Sequence, residues 1–345
     1  MEQAFFAFLG CVILITVFMD AAATAVRSEG GGRLTRLFVE IAWRALIRVK
    51  RRRKLSHRTL SYAGTGFLLM LLLVWVGLVW LGWTLVFYSN PHAVVSDMSG
   101  EPATFLERLY FAGSTVLTLG LGDFRPNGTF WELLTIVAGI SGYSIAALSV
   151  AYILPVFQAA IKKREMAMFI GSLGDSPQDI VCNYARTPET LQSHLNNLTK
   201  DIFATCEAHR AYPVLHFFHS SRAVASFSLK IATLDETLTI LQSAFKRGPI
   251  LEKGIAKPLR RSISLLLNTI EEAHMEPSED PPPFPDPEQL RDHHLELVSE
   301  VEYIEVFENL LTRRKALRGL VTSHGWSWDE LYQREPEAER INVIA

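Results

Sequence analysis

The sequence predicts an all-α membrane protein that continues into an all-α cytosolic domain. Three observations indicate this fold class. Hydrophobic residues make up 49% of the 345 residues, and the mean hydropathy of +0.16 is high for a soluble protein. Three apolar stretches reach the ~20 residues that a membrane-spanning helix needs. After residue 165 the chain shows helical periodicity and no run of alternating β-branched residues, so we predict helices there as well.

The first element is an N-terminal transmembrane span at residues 1–27. Its apolar run, Ala4 to Val26, follows Met1-Glu2-Gln3 and no basic residues, so we interpret it as an uncleaved span and not as a signal peptide. Asp20 lies near the inner end of this span. Two interpretations of Asp20 stay open: an aspartate at the membrane interface close to water, or a buried partner for an arginine on a neighbouring helix.

The second element is a basic amphipathic linker at residues 28–59. Apolar residues recur at helical spacing from Arg33 to Arg58, with arginines between them, so we predict an interfacial helix on the membrane surface. Its KRRRK run suits anionic lipid head groups, and the candidate lipid contacts are Arg51, Arg52 and Arg53. We predict no nucleic-acid partner, because apolar spans lie on both sides of the run.

The third element, residues 60–164, contains two long helices, uncharged apart from Glu132, with an unusual segment between them. Residues 89–128 are too apolar for an ordinary loop, and Thr104 and Glu107 fit a capping box. The box predicts a helix too short to span the membrane, which re-enters it from outside. We predict the outer helix, this pore helix and the inner helix at residues 60–88, 103–116 and 129–161.

The distribution of basic residues predicts the topology. They crowd Arg27–Arg58 and Lys162–Arg164, whereas Ser89–Gly128 holds few. Because cytoplasmic loops carry the excess of lysine and arginine, we expect the N-terminus and Ser89–Gly128 to face outside. The basic linker and the C-terminal domain are then cytoplasmic. The expected location is a bacterial inner membrane.

The segment after the pore helix, TLGLGD at residues 118–123, predicts an ion-binding backbone. Glycines two residues apart let successive carbonyls turn to the same side, because glycine reaches backbone angles closed to other residues. Four such strands around an axis would stack rings of carbonyl oxygens, and the Thr118 hydroxyls would add another ring. Such rings replace the hydration shell of a cation. One chain cannot supply them, so this interpretation requires an oligomer.

Residues 60–164 resemble the pore domain of the potassium channel superfamily, in the simple form of bacterial tetrameric channels. The family filter reads Thr-Val-Gly-Tyr-Gly-Asp, with a proline three residues beyond the aspartate. The matching residues are Thr118, Gly120, Gly122, Asp123 and Pro126, whereas leucines replace the valine and the tyrosine. The resemblance implies a homotetramer that needs no cofactor and no metal beyond the permeant potassium ion. Its implied ion-binding residues are Thr118, Leu119, Gly120, Leu121 and Gly122.

Several residues depart from the family pattern. The family's filter tyrosine bonds an aromatic side chain of the pore helix; Leu121 cannot, and Phe111 offers no donor, so we predict bracing by apolar packing. Ser114 replaces a frequent glutamate that pairs with the filter aspartate, so we expect Asp123 to bond backbone or water. Asp123 and Arg125 form the predicted outer mouth, where arginines would oppose incoming cations. We predict potassium selectivity, and looser selectivity than in the tyrosine form stays open.

Three residues of the inner helix are candidates for a gating hinge. Gly139 stands where the family often carries a gating glycine, and Gly142 lies one turn later. Pro155 removes one helical hydrogen bond nearer the cytoplasmic end. Close packing by small residues and a plain packing kink remain equally open interpretations. The chain has no row of arginines at three-residue spacing, so we predict no voltage sensor of the familiar kind.

Residues 165–345 form the predicted helical cytosolic domain. Thr187 followed by Pro188 predicts the start of a helix. Residues 276–287 are a proline-rich linker that no helix or strand can cross, and a long charged helix is predicted from Glu288 to Ser323. No motif identifies a regulatory ligand.

Histidines of the same domain suggest a weak metal signal. His209, His216 and His219 lie close in sequence and resemble a two-ligand metal spacing. No cysteine or carboxylate completes a site nearby, so we interpret them as satisfied or exposed histidines. The chain's three cysteines are widely spaced and form no CxxC pattern, which argues against a disulfide framework or structural zinc.

The sequence therefore predicts an ion channel that conducts potassium and is gated by its cytosolic domain or by lipids. Two alternatives remain: a non-selective cation channel, and a membrane-anchored signalling or scaffold protein with a non-conducting pore fold. We predict no enzyme, because the sequence shows no carboxylate pair, nucleophile elbow or metal-ligand set. The formal net charge of −2 gives no global attraction to nucleic acid.

Overall fold

A computed structural model describes residues 2–26, 31–52, 61–271 and 276–333. The regular secondary structure of these residues is almost all helical, which confirms the predicted all-α fold class. Their α-helices are α1 (Glu2–Val26), α2 (Arg33–Arg52), α3 (Ala63–Tyr88), α4 (Phe105–Val116), α5 (Thr129–Leu173), α6 (Pro177–Tyr184), α7 (Pro188–Ala211), α8 (Phe227–Ser243), α9 (Lys253–Glu271), α10 (Glu288–Asp292), α11 (Glu300–Glu308) and α12 (Leu311–Ser323). Short 3-10 helices lie at Pro213–Phe217, Ala223–Ala225 and Trp328–Leu331.

Among the described residues, α1, α3 and α5 are long and apolar enough to cross a membrane. They correspond to the three predicted spans. Two three-residue strands lie between α3 and α5: β1 (Val94–Ser96) and β2 (Phe124–Pro126) pair antiparallel, with Val95 opposite Arg125. This small ribbon brackets α4, since β1 precedes the helix and β2 follows it.

The chain divides into two compact units. The N-terminal unit comprises Met1–Lys54, Thr65–Phe157 and Ala211–Val214, and the C-terminal unit comprises the remaining residues. α5 runs without interruption from one unit into the other, because its helix continues through Pro155 to Leu173. The two units are described separately below.

In the N-terminal unit, α1 packs closely against α3 where two glycines meet. A Cβ atom on Gly10 would lie 2.6 Å from the Gly82 carbonyl oxygen, and a Cβ atom on Gly82 would lie 2.8 Å from the Leu14 side chain. Small residues allow membrane helices to approach this closely. The additional N-terminal helix is therefore attached directly to α3.

The buried Asp20 connects α1 to both α2 and α3. Its carboxylate accepts hydrogen bonds from the backbone amides of Leu34 at 2.8 Å and Thr35 at 3.2 Å, and from the Thr35 hydroxyl at 2.7 Å. Trp75 Nε1–H of α3 donates to it at 3.2 Å. Asp20 thus caps the first turn of α2 from another helix. Both interpretations of Asp20 from sequence are wrong, because the carboxylate is buried and its described partners include no arginine.

The C-terminal unit is built around α8, which is buried on nearly every side. α6, α9, α11 and α12 pack against it. Its two adjacent acids are buried with arginines: Asp235 pairs with Arg313 at 2.6 Å and with Arg260 at 2.9 Å, and Glu236 pairs with Arg314 at 2.8 Å. Burial alone would raise the pKa of Asp235, but the two arginines outweigh it and hold that pKa below its usual range.

Residues 276–287 contain no helix or strand, and arginines of α12 hold them against the unit. Arg314 donates to the Pro283 carbonyl oxygen at 2.7 Å, and Arg318 donates to that of Pro281 at 2.9 Å. The proline-rich linker is therefore a packed part of the unit.

The prediction of one long helix from Glu288 to Ser323 is wrong, because α10, α11 and α12 occupy this range. His294 has a φ of +58°, which a right-handed helix cannot contain. Ser299 then starts α11 through a capping box with Glu302. The sequence itself indicates this second helix start, because a serine followed three residues later by a glutamate is typical of a helix start. The predicted helix start at Pro188 is confirmed.

Candidate functional site

α4 begins with the predicted capping box. The Glu107 amide donates to Thr104 Oγ1 at 3.4 Å, and the Thr104 amide donates to Glu107 Oε2 at 2.7 Å. The helix ends at Val116, where the Leu117 amide still bonds the Gly113 carbonyl. Residues 118–123, called the filter segment below, follow directly. The cap fixes the start of α4 and therefore the position at which its carboxyl end leads into the filter segment.

A buried arginine anchors α4 to the carboxyl end of α3. The Arg108 guanidinium donates to the Pro91 carbonyl oxygen at 2.6 Å and to the Tyr88 carbonyl oxygen at 3.4 Å. It also lies 5.4 Å from the centre of the Tyr88 ring. The carboxyl end of a helix carries partial negative charge, so a cation is favourable there. The sequence analysis missed this residue, although a charge inside an apolar re-entrant segment was a usable signal.

The next two residues tie α4 to α3 and to the filter segment. Trp80 Nε1–H of α3 donates to the Leu109 carbonyl oxygen at 2.7 Å. The Tyr110 hydroxyl donates to Asp123 Oδ2 at 2.6 Å. A hydrogen bond to a charged group is stronger than one between neutral groups. The Asp123 carboxylate is therefore held by a tyrosine of α4, a partner that the sequence did not predict.

The backbone of the filter segment alternates in conformation. Thr118, Gly120 and Gly122 have positive φ angles of +56°, +60° and +87°, and the leucines between them do not. A positive φ is unusual for a threonine and costs of order 1–3 kcal/mol, so the surrounding fold must hold it. An alternating backbone can turn successive carbonyls to the same side. This is the arrangement that the glycine spacing predicts.

An ion pair lies beside the outer end of the filter segment. Arg125 Nε of β2 lies 3.2 Å from Asp97 Oδ1, and both side chains are exposed. The Asp97 amide donates to the Asp123 carbonyl oxygen at 3.1 Å. The charge of Arg125 is therefore offset by Asp97, a residue that the sequence analysis did not consider.

The expected apolar brace behind the filter segment is not formed within one subunit. Leu121 is exposed, and Phe111 packs instead against Phe87 of α3, with ring centres 5.1 Å apart. Ser114 contributes its backbone, because its carbonyl oxygen accepts a hydrogen bond from the Leu119 amide at 2.7 Å. Within a subunit the described support of the filter segment is polar.

The three gating candidates of α5 have different surroundings. A Cβ atom on Gly142 would collide with the carbonyl group of Val116 at the end of α4, whereas one on Gly139 would lie 3.8 Å from the nearest atom, the Thr115 carbonyl oxygen. Gly142 is therefore required for close packing of α4 on α5. Gly139 has room for a side chain. Pro155 lies inside the continuous helix.

Apolar side chains of the filter segment and α5 are exposed in a single subunit. Leu119 and Leu121 are 60% and 53% exposed, and Ile136, Ile140 and Tyr143 are exposed on α5. Irregular backbone at membrane depth is stable only where protein or a water-filled cavity surrounds it. In one chain the filter segment lacks such surroundings on its exposed side.

The candidate lipid contacts belong to the basic linker and not to the channel domain. Arg53 and the side chains of Arg51 and Arg52 lie outside the described residues.

His209 and His216 come together, with ring centres 4.6 Å apart. His209 is buried, and neither ring nitrogen has a hydrogen-bond partner among the described residues. The interpretation of His209 as satisfied or exposed is therefore wrong.

His219 does not join this pair; its ring centre lies 4.7 Å from that of His324. No three His, Cys, Asp or Glu side chains of the described residues are placed to hold a metal ion together.

Comparison with known proteins shows which family model and which relative this chain resembles. A family model described as an ion channel matches residues 73–159, from the middle of α3 to α5. A protein of Bacillus subtilis (strain 168), described as the uncharacterized membrane protein YdjJ, is 31% identical over 325 residues, which cover 92% of this chain and 94% of that protein. The chain belongs to the YdjJ family. No solved structure matches it.

This member of the YdjJ family is an integral membrane protein with an ion-channel domain. The resemblance to the potassium channel superfamily, with an additional N-terminal helix and a helical C-terminal region, is confirmed. The matched range contains α4, the filter segment and all three gating candidates. The match to an ion-channel domain supports a role in transport and not in catalysis.

Proposed function

We propose that this protein is a homotetrameric potassium channel whose four filter segments line one pore. The observation that carries the proposal is the positive φ at every second residue from Thr118 to Gly122. The segment lies between a capped short helix and a long apolar helix inside an ion-channel domain. In the proposed pore the carbonyl oxygens of residues 118–122 and the Thr118 hydroxyl bind dehydrated potassium ions.

The exposure of the filter segment supports assembly from several copies. Carbonyl rings need the same backbone from each subunit, and one chain provides one strand. The exposed apolar side chains of α5 would pack against neighbouring subunits around the axis. A tetramer is the arrangement that the resemblance to bacterial tetrameric channels implies.

Selectivity for potassium over sodium is supported by the attachments of α4. Arg108 and Trp80 fasten this helix to α3, and Tyr110 holds Asp123 at the outer end of the filter segment. These bonds would keep the carbonyl rings at a fixed spacing without the tyrosine of the family filter.

The proposed orientation places the N-terminus outside and the C-terminal unit in the cytoplasm of a bacterium. The excess of basic residues in the linker supports this orientation. Gating by the C-terminal unit is supported by α5, because one helix carries both the glycines beside the filter and residues 158–173 of that unit. Arg51, Arg52 and Arg53 are proposed contacts for anionic lipids that modulate gating.

Thallium flux into vesicles that contain the purified protein tests conduction. Wild-type protein should conduct, and barium should block the flux. Gly120→Ala should abolish it, because φ is +60° at this position and a side chain there is strained. Gly100→Ala is the matched control, since Gly100 has φ of +70° in open space outside the filter segment. Absence of flux in the wild type would leave the scaffold alternative.

Bi-ionic reversal potentials test selectivity. The wild type should favour potassium, and Tyr110→Phe should lower the permeability ratio of potassium to sodium because it removes the bond to Asp123. Tyr62→Phe, at an exposed position ahead of α3, should leave the ratio unchanged. Equal permeability of the wild type to both ions would favour the non-selective cation channel.

A further inference from the structure

The most unusual buried group outside the channel domain is His209 of α7. It is 3% exposed, and its two ring nitrogens have no hydrogen-bond partner in the described part of the chain. A buried polar group without a partner is costly and calls for an explanation. The ring lies face to face with Phe227 of α8, with centres 6.3 Å apart. His216 lies on another side, at 4.6 Å.

The same aromatic ring also contacts a buried lysine of α5. Lys163 Nζ lies 5.4 Å from the centre of the Phe227 ring and donates to the carbonyl oxygens of Phe218 at 3.0 Å and Leu215 at 3.4 Å. Lys163 is 5% exposed. Residues 158–173 of α5 are therefore fixed within the C-terminal unit by a buried lysine that contacts the same aromatic ring as His209.

The charges that act on His209 are all basic. Burial holds the pKa of His209 well below its usual range, and His216, Lys163 and His324 act in the same direction. The nearby acids are engaged elsewhere. On α7 itself, Glu207 pairs with Arg210 at 3.6 Å.

The remaining acid of α7 in this region holds the neighbouring lysine of α5. Asp201 pairs with Lys162 at 3.4 Å. A proton on His209 would therefore add a second buried positive charge beside Lys163, with no described carboxylate to balance it.

We propose that His209 is a proton-binding site that controls the packing of the α5 segment at residues 158–173. The neutral imidazole fits the packed arrangement. A protonated imidazole fits only an arrangement in which water reaches His209 and Lys163 separates from it. The ligand is the hydrogen ion, and the site lies where α5, α7 and α8 meet within the C-terminal unit.

The direction of the pH dependence follows from linkage. The packed arrangement takes up its proton at lower pH than the released arrangement, whose histidine titrates near its usual pKa of about 6.5. The contribution of His209 to packing is therefore fully present above this pH. Below it, the equilibrium shifts toward release by up to about tenfold per pH unit.

Hydrogen exchange of the full-length protein tests the site directly. Protection factors of the peptides that cover residues 158–173 are measured at pH 7.5, 6.5 and 5.5. In the wild type they should fall by up to about tenfold between pH 6.5 and 5.5. His209→Gln and His209→Phe, which cannot titrate, should show no such fall. His293→Gln, at an exposed position, should behave like the wild type.

Two results would overturn the proton site: wild-type protection that does not change with pH, or the same fall in both His209 variants. Using two variants guards against misfolding of one, because glutamine keeps polarity and phenylalanine keeps the ring.

Control of conduction by this site rests on the proposed channel function. Thallium flux at pH 6.5 and 5.5 should change by at least about twofold in the wild type and in His293→Gln, and not in His209→Gln. An equal change in His209→Gln would overturn the coupling. Absence of flux in every variant would overturn the channel function instead, and the exchange experiment would still decide the proton site.

Discussion

The two units of this protein stabilise buried charge in different ways. In the C-terminal unit the buried acids Asp235 and Glu236 of α8 are paired with arginines. In the N-terminal unit, Asp20 and Arg108 are buried without an opposite charge among the described residues. Asp20 is bound by amides at the start of α2, and Arg108 by carbonyls at and beyond the end of α3.

The difference shows how a membrane unit can hold charge without ion pairs. The amino end of a helix has free amides and partial positive charge, and the carboxyl end has free carbonyls and partial negative charge. Each buried charge therefore meets an opposite partial charge and also satisfies helix ends. In the C-terminal unit the arginines come from α9 and α12, so the ion pairs fix how those helices pack on α8.

The largest effect is expected from breaking a buried pair of the C-terminal unit. Arg314→Met leaves Glu236 buried without its partner, and this should cost about 3–5 kcal/mol of unfolding free energy. Thermal unfolding of the full-length protein in detergent should show a lower Tm. Arg247→Met is the control, because Arg247 pairs with Glu296 at the surface and exposed pairs contribute about 0–1 kcal/mol. Equal Tm losses would contradict the distinction.

A smaller effect is expected at Arg108. Arg108→Met removes the charge together with its bonds, so the loss is that of hydrogen bonds from a charged donor, about 1.5–3 kcal/mol. Hydrogen exchange at the start of α4 measures it. Arg108→Lys should retain part of the stability, because an ammonium group can still donate to a carbonyl oxygen. If methionine and lysine had the same effect, the bonds to the carbonyls would not matter.

The cap of α2 should contribute less still. Asp20→Ala removes the acceptor of the first amides of α2, which should cost about 0.5–2 kcal/mol. Faster exchange of the Leu34 and Thr35 amides would report the loss. Asp20→Asn keeps one carbonyl oxygen as an acceptor and should lie between the wild type and the alanine variant. Exchange in α12, in the other unit, should not change.

The smallest effect is expected from the exposed pair beside the filter segment. Arg125→Gln breaks its contact with Asp97 and should change the unfolding free energy by no more than about 1 kcal/mol. If the proposed channel function is correct, conductance should rise slightly at low salt, because a positive charge is removed from the outer mouth. The rise should vanish at high salt, since mobile ions screen the charge.

Much of the channel domain could be predicted from residues that lie close together in sequence. The capping box of α4, the three apolar helices and the glycine spacing of the filter segment depend on local patterns. The prediction of one long helix after Glu288 was wrong because it depended on the overall charge pattern. The local pattern of a serine followed three residues later by a glutamate at Ser299 indicates the start of α11.

The supports of the candidate site could not be predicted in this way. Tyr110 is the one aromatic residue of α4 with a hydroxyl group, but no local pattern shows that this hydroxyl reaches Asp123. Because Leu121 stands where the family has a tyrosine, the sequence predicts that apolar packing supports the filter segment. In the structure the Tyr110 hydroxyl instead holds the segment at Asp123.

The sequence by itself determined the helical class, the three apolar helices and a glycine-spaced segment with an alternating backbone, because length, periodicity and glycine spacing act within a few residues. Only the tertiary structure decided the partners of the buried charges. Asp20 meets Trp75 across 55 positions, and Arg314 meets Glu236 across 78. A charge at such a position must find a partner to remain buried, but the packing of the helices selects which one.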